Sequence, residues 1–352
     1  AIGTSMNSVH IEFQRVQTWL FSVPRLRAMI GANTLLGEVL RDSLPNLARQ
    51  TARWQLAVPG GDYPTSDPGD PLTSFDVPDE DAKQGILSRD GGHFEALFSA
   101  GADEFAASAT SLIRRELSGL RFRVSVDGIE VSQSTTSISL ELPVLARCEW
   151  SHNGLASGPV PQGDDAPEVS LDALRRHETA LRAEGGKARD LASLLTATTK
   201  LNGMPRPSTF AELAGSGYLA VIHADGNGVG TVAHGDDGAR SAFFHRNRVL
   251  LRKAVKQAID QVCATAETTP LVLLMLGGDD LLVLARASQA LPFVVQLCSE
   301  LDNLQRGCVD QFHLTLGIGV VFSKPTVPFH RLHEVAENLA ASAKRQFRGF
   351  PL

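Results

Sequence analysis

The segment LVLLMLGGDDLLVLA, residues 271–285, constrains the fold more than any other. Two apolar runs of strand length flank a Gly-Gly-Asp-Asp turn, the pattern of a buried hairpin. Gly277 and Gly278 allow the sharp turn, because glycine adopts backbone angles closed to other residues. Asp279 and Asp280 are harder to account for. Adjacent carboxylates repel, and apolar strands on either side add a desolvation cost. A compensating cation is needed, and a divalent metal is the first candidate.

The hairpin sits inside a longer order. Upstream, YLAVIHA (218–224) predicts a strand ending at Asp225, then a DGNGVG turn and a helix over 239–262. That helix carries Phe243, Val249, Leu250, Ala254, Ala258 and Val262 on one side. Its other side holds Arg246, Arg248, Arg252, Lys253 and Lys256, read as facing solvent. Downstream come a helix at 288–304, a strand at 313–322 and a closing helix at 328–346. Strand, helix, hairpin, helix, strand, helix predicts a ferredoxin-like or palm arrangement, an antiparallel sheet with helices on one face. The first half repeats the order more loosely, with strands at 8–13 and 120–126, helices at 16–23, 31–48 and 102–117, and a hairpin at 85–98 tipped by Gly91 and Gly92. The Pro-, Asp- and Gly-rich stretch 59–82 reads as an exposed loop. The fold class expected is therefore α+β, two ferredoxin-like palm domains joined by a largely helical connector. Their expected bounds are 6–147, 148–210 and 211–352, with a break at Gly185-Gly186 in the connector helix.

Composition narrows the class. The chain has 352 residues, 43% hydrophobic and 20% charged, which suits a globular protein of two domains. A net charge of −6 argues against a protein held mainly by a nucleic-acid backbone. No apolar run approaches the roughly 20 residues of a membrane span, so no membrane partner is expected. Cys148, Cys263, Cys298 and Cys308 form no C-x-x-C pair, so neither a zinc site nor a disulfide framework is indicated, and a cytoplasmic location is expected.

Asp225 precedes Asp279 by 54 positions (279 − 225). In a ferredoxin-like sheet the two strands are neighbours, so Asp225, Asp279 and Asp280 converge at one edge. Such a set suits Mg²⁺ or Mn²⁺, hard cations that prefer oxygen. Two ions about 4 Å apart can activate a 3′-hydroxyl and stabilise a leaving pyrophosphate. The turn of Gly226, Asn227 and Gly228, expected at a helix N-terminus, offers backbone N–H groups to a triphosphate. Lys344 is a candidate point charge for its β- and γ-phosphates. Each feature also has an ordinary reading: GGDD alone is a common turn, and a lysine on a terminal helix is commonly solvated. His330 and His333, one helical turn apart, read as structural.

With these residues in view, YLAVIHADGNGVG, LMLGGDDLLVL and LTLGIGVVFSKPTVPFHRLHEVAENLAASAKR resemble the second palm of the large polymerase subunit of type III CRISPR effectors, the Cas-ten family. VHIEFQRVQTWLFSVPRLRAMIGANTLL resembles that family's first palm, and both palms are distantly similar to GGDEF cyclases. The resemblance implies a metal-dependent nucleotidyltransferase making cyclic oligoadenylates from ATP in antiviral defence. It implies Asp225, Asp279 and Asp280 as metal ligands, with Gly277 and Gly278 shaping the nucleotide pocket. The first palm departs from the pattern, with Glu12 for the usual aspartate and GGHF (91–94) for the acidic turn. Gly91 and Gly92 are therefore expected to position an acceptor nucleotide without metals. Of the family's zinc ribbon only Cys148 remains, and the nuclease and C-terminal helical domains are not seen. The expectation is a compact, stand-alone synthase, with CRISPR-type protein or RNA partners and a homo-oligomer left open. Two alternatives stand beside it: a diguanylate cyclase-like enzyme using GTP, and an inactive nucleotide-binding scaffold or sensor.

Overall fold

The computed structural model describes residues 6–50, 53–59, 67–73, 75, 78–133, 146–152, 154–160, 166–232, 237–307 and 312–348. Cys308 and parts of the 59–82 stretch lie outside the described residues. The chain divides into two compact units, residues 1–60 with 80–190, and residues 61–79 with 191–352. The stretch 148–210, expected as a connector, is thus shared between them at 190/191.

The first unit contains, in chain order, β1 (Asn7–Gln14), α1 (Val16–Leu20), α2 (Leu26–Glu38), a π-turn at Val39–Ser43, α3 (Leu44–Arg49), β2 (Gln55–Leu56), α4 (Pro78–Lys83, whose first two residues fall in the other unit), β3 (Ile86–Ser88) and β4 (His93–Ala100). α5 (Ala102–Glu116), β5 (Arg121–Val126), β6 (Ile129–Gln133), β7 (Gly158–Pro159), β8 (Glu168–Val169) and α6 (Leu171–Arg182) follow. The sheet order is β2-β4-β1-β5-β6, with β3 also paired to β4. Stripped of β2 and β6, this is the order a ferredoxin-like half requires. Alternation along β1 and β4 buries Val9, Ile11, Phe13, Phe94, Ala96 and Phe98, and Phe105 of α5 packs on Phe98.

α6 belongs to this unit and is no free-standing connector. At Gly31 of α2 a Cβ would lie 1.7 Å from the Arg176 carbonyl oxygen, so only glycine permits this helix crossing. Arg176 is fully buried, donates to the Trp19 carbonyl at 2.9 Å, pairs with Asp172 at 3.0 Å and lies 4.4 Å over the Trp19 ring. Cys148 is buried with Trp150, Val160, Val169 and Ala173 against Val23 and Ala28, so it serves as core. The glycine break falls at Gly186, left-handed at φ 80°, where the helix closes in a π-turn.

The second unit begins with α7 (Leu191–Thr196) and α8 (Phe210–Ala214). It continues with β9 (Leu219–Gly226), α9 (Val229–Val232), α10 (Asp237–Val262), β10 (Leu271–Gly277), β11 (Asp280–Arg286), α11 (Ala287–Gln305), β12 (Leu316–Ser323) and α12 (Phe329–Arg348). Its sheet runs β10-β11-β9-β12, antiparallel throughout. The even residues Ala220, Ile222 and Ala224 of β9 join the core formed with α10 and α11. The odd residues, His223 and Asp225 among them, face α12.

That last contact corrects the expectation of helices on one face. α12 covers the other side of the sheet, because β12 carries glycine where the helix crosses. A Cβ at Gly319 would come within 1.9 Å of the Ala336 carbonyl oxygen, and one at Gly317 within 2.8 Å of that of Ala340. Two glycines facing two alanines let helix and strand meet backbone to backbone.

The 59–82 stretch also differs from its expected exposure. Leu72 is fully buried in the core of the second unit, and Asp70 forms a 2.9 Å ion pair with Arg252 in which both side chains are 2% exposed. Lys253 pairs with Asp67 at 2.8 Å, nearer the surface. The basic side of α10 is therefore not simply solvated. It receives a strap, residues 67–73, and Arg252 is buried where Asp70 compensates it.

Candidate active site

The β10–β11 hairpin closes with Gly277 opposite Asp280, leaving Gly278 and Asp279 at the tip. Gly278 is left-handed at φ 55°, which an L side chain adopts only with strain. The register Leu281↔Ala224 places Asp280 beside Asp225 on the face that α12 covers. Asp225 lies inside β9, one residue short of its end, and pairs with Gly317 of β12. Asp279 folds back over Gly226, where a Cβ would sit 2.5 Å from its Oδ2. Gly226 is thus glycine because the third carboxylate rests on it.

Asp225 stands close enough to Asp279 and Asp280 for its charge to act on both. Burial, reinforced by the Asp225 charge, pushes the Asp279 carboxyl above its usual range. Asp280 is raised further, by burial first, then by the charges of Asp225 and Asp279 and a hydrogen bond with Asp225. Lys344 of α12 opposes both shifts, and its Nζ donates to Asp225 Oδ2. One ammonium faces three carboxylates, so the site is short of positive charge.

An all-oxygen, under-compensated donor set fits Mg²⁺ or Mn²⁺ in kind. In arrangement it is not a finished cage: among the described residues no group of three or more His, Cys, Asp or Glu side chains is already disposed to hold a metal. Asp225 instead spends an oxygen on Lys344.

The turn after β9 corrects one expectation. Asn227 N–H donates to the Thr315 carbonyl at 2.8 Å, and its side-chain amide donates to Thr315 Oγ1 at 2.9 Å. That N–H is a latch on the start of β12 and is not offered to a phosphate. The helix beginning at Val229 is the four-residue α9, and long α10 starts only at Asp237. Gly228 is left-handed at φ 71° and completes the turn.

Sequence reasoning missed the residues that aim Lys344. His223 and His333 pack edge to face at 5.4 Å, and Phe329 stacks on Phe210 of α8 at 5.5 Å. Burial lowers both histidines, His333 to about 4, which favours the neutral ring in each, while His330 is exposed. His333, Ala336, Ala340 and Lys344 recur at helical spacing on one face of α12. The alternate glycines of LTLGIG, read against small residues one turn apart in the closing helix, carried the signal.

The Gly91–Gly92 turn lies in the first unit, both residues left-handed, with Gly92 O accepting from Phe13 N–H at 2.8 Å. Its neighbour Asp90 pairs with buried Arg41 at 2.6 Å. Glu12 sits in β1 between His93 and Arg123.

Residues 218–349 match the family model of the Cas10/Cmr2 second palm domain. This segment is similar to Cas10-type second palms. The fold likeness extends over both units. A Csm1-Csm4 cassette in complex with cA4 aligns at TM-score 0.55 and 11% identity, covering 97% of this chain and 53% of that one. A Csm1-Csm4 cassette with one ATP aligns at TM-score 0.54 and 12% identity, covering 97% and 54%. The Csm1-Csm4 subcomplex of a type III-A CRISPR-Csm interference complex gives 0.53 and 12%, covering 97% and 54%. The chain spans about half the length of the chains it matches. A search of curated proteins returns no significant match. Among the described residues no helix is long and apolar enough to cross a membrane.

Proposed function

We propose that the second unit is a metal-dependent nucleotidyltransferase centre that joins ATP into cyclic oligoadenylate-type messengers. The observation that carries the reading is the convergence of Asp225, Asp279 and Asp280 beside Lys344 within a Cas10-type palm. In the reaction the 3′-hydroxyl of one nucleotide gives up its proton to solvent and its oxygen attacks the α-phosphate of another. A P–O bond forms, the α–β bridge breaks, and pyrophosphate leaves with its electron pair. Divalent metal held by Asp225, Asp279 and Asp280 would supply Lewis-acid stabilisation of that charge. The chain's own contribution is to keep three acids at one sheet edge, to shape the approach with Gly277 and Gly278, and to bring Lys344 toward the triphosphate. Gly91 and Gly92 in the first unit are assigned to positioning an acceptor, and Glu12 to no metal.

Several matched chains are described in complex with ATP, an ATP analogue or cyclic oligoadenylates, which supports adenine over the guanine of a GGDEF-like cyclase. They are also described with Csm4, which supports a protein partner of a type III effector over a stand-alone synthase. A second reading, an inactive nucleotide-binding scaffold, is favoured by one observation, the lack of a finished metal cage among the described residues. Incubation with each NTP and Mg²⁺ or Mn²⁺, followed by mass spectrometry, separates the three. Adenine-containing oligomers support the proposal, guanine-only product moves the assignment to the GTP enzyme, and no product with partner protein and RNA supplied moves it to the scaffold.

A further inference from the structure

The ammonium that pairs with Asp225 is also the group proposed above to meet a triphosphate, and a divalent metal on Asp225 would sit against that positive charge. We propose that Lys344 is an exchangeable internal cation. In the nucleotide-free protein it holds Asp225, and an arriving triphosphate draws it away so that Asp225 can take a divalent metal. This rests on the nucleotidyltransferase reading above and adds an order of events to it.

Three observations carry the proposal. Lys344 Nζ donates to Asp225 Oδ2, the carboxylate that neighbours both Asp279 and Asp280. The stem of the lysine packs on Gly317 while the ion pair is partly open to solvent: Lys344 Cγ lies 2.5 Å from where a Cβ on Gly317 would be, and the side chain is 21% exposed and that of Asp225 34%. The backbone-to-backbone contact of Gly317 and Gly319 with Ala340 and Ala336 holds α12 in register, so only the last bonds of the side chain need rotate.

Competition sets the direction. An ammonium and a divalent ion compete for the same carboxylate oxygen, so the lysine weakens metal binding while it stays there. A triphosphate carries several negative charges and outcompetes one carboxylate for the ammonium. Nucleotide and metal then bind cooperatively, each favouring the form the other needs, as linkage requires. A lysine that stood clear of Asp225 in the nucleotide-free protein would leave Mn²⁺ binding there little changed when replaced.

The test uses the full chain and two direct binding measurements. Mn²⁺ binding without nucleotide is followed by electron paramagnetic resonance, and AMPPNP binding in EDTA by calorimetry, for wild type, Lys344→Met and Lys344→Gln. The expected result has opposite signs: Mn²⁺ binds at least tenfold tighter in both variants, while metal-free AMPPNP binds at least tenfold more weakly. General damage to the site would weaken both. Asp225→Asn, added to each lysine variant, should abolish the gain for Mn²⁺. If Mn²⁺ affinity is unchanged or lower in both lysine variants while still depending on Asp225, the exchange is wrong and the metal site stands. If none of these proteins binds Mn²⁺, the metal-dependent reading falls and the exchange with it.

Discussion

The strap of residues 67–73 offers the sharpest stability prediction, because its two ion pairs are similar in length and differ sharply in burial. Asp70 and Arg252 are 2.9 Å apart with both side chains 2% exposed, whereas Asp67 and Lys253 are 2.8 Å apart with side chains 41% and 24% exposed. Asp70→Ala removes the carboxylate from a buried ion pair, a loss of about 3–5 kcal/mol. It also removes the acceptor of Leu72 N–H, held at 2.9 Å, worth about 1 kcal/mol more. Asp67→Ala breaks a pair that water already screens and costs below about 1 kcal/mol. The readout must distinguish the units. Trp19, Trp54 and Trp150 all lie in the first unit, so tryptophan fluorescence in urea reports on that unit alone. Amide hydrogen exchange of peptides from β9, β10 and β11 reports on the second. Asp70→Ala should accelerate exchange there by about two to four orders of magnitude, with a much smaller change in the tryptophan transition. Asp70→Leu with Arg252→Met should recover most of the loss, since an apolar pair of similar volume needs no compensation. Equal effects of Asp70→Ala and Asp67→Ala would refute the claim that burial sets the magnitude.

Asp279→Ala with Asp280→Ala should abolish product formation while raising the thermal stability of the second unit, because clustered charge is relieved; an unchanged yield by mass spectrometry sinks the assignment. The same pair predicts a pH dependence in EDTA. Both carboxyls are raised in the folded state, so their contribution is present below the ordinary carboxylate pKa near ~4 and is lost as pH rises through the folded values. Wild type should lose more stability than the double variant between pH 5 and 8, and parallel profiles would contradict the shifts. Gly319→Ala places a methyl 1.9 Å from a helix carbonyl and should cost about 2–3 kcal/mol, read in exchange of α12 peptides; a change within error would mean α12 lies further from β12. Gly92 is left-handed at φ 80°, so Gly92→Ala strains the turn by about 1 kcal/mol, whereas Gly92→Asn should be milder; synthesis that falls equally with both points to lost space for a nucleotide.

The sequence by itself determined the element order and the carboxylate convergence, because both depend on local information. Apolar runs around GGDD predict a hairpin wherever they stand, and the period-2 pattern of YLAVIHADG places Asp225 on a fixed face. Once strand order is ferredoxin-like, hairpin register brings Asp280 beside Asp225. Tertiary structure decided what compensates what. Arg252 looked like one more cation on a solvated face until residues from a distant stretch supplied Asp70, a pairing separated by 182 positions that no periodicity encodes. α12 crosses the opposite side of the sheet because Gly317 and Gly319 meet Ala340 and Ala336, and a helix pattern alone does not name the face it covers. The Asn227 amide N–H was legible as a free donor in a turn and is spent on Thr315, since backbone donors are claimed by whichever strand folds nearest. Charge and hydrogen-bond partners are properties of neighbours in space, and only folding chooses those.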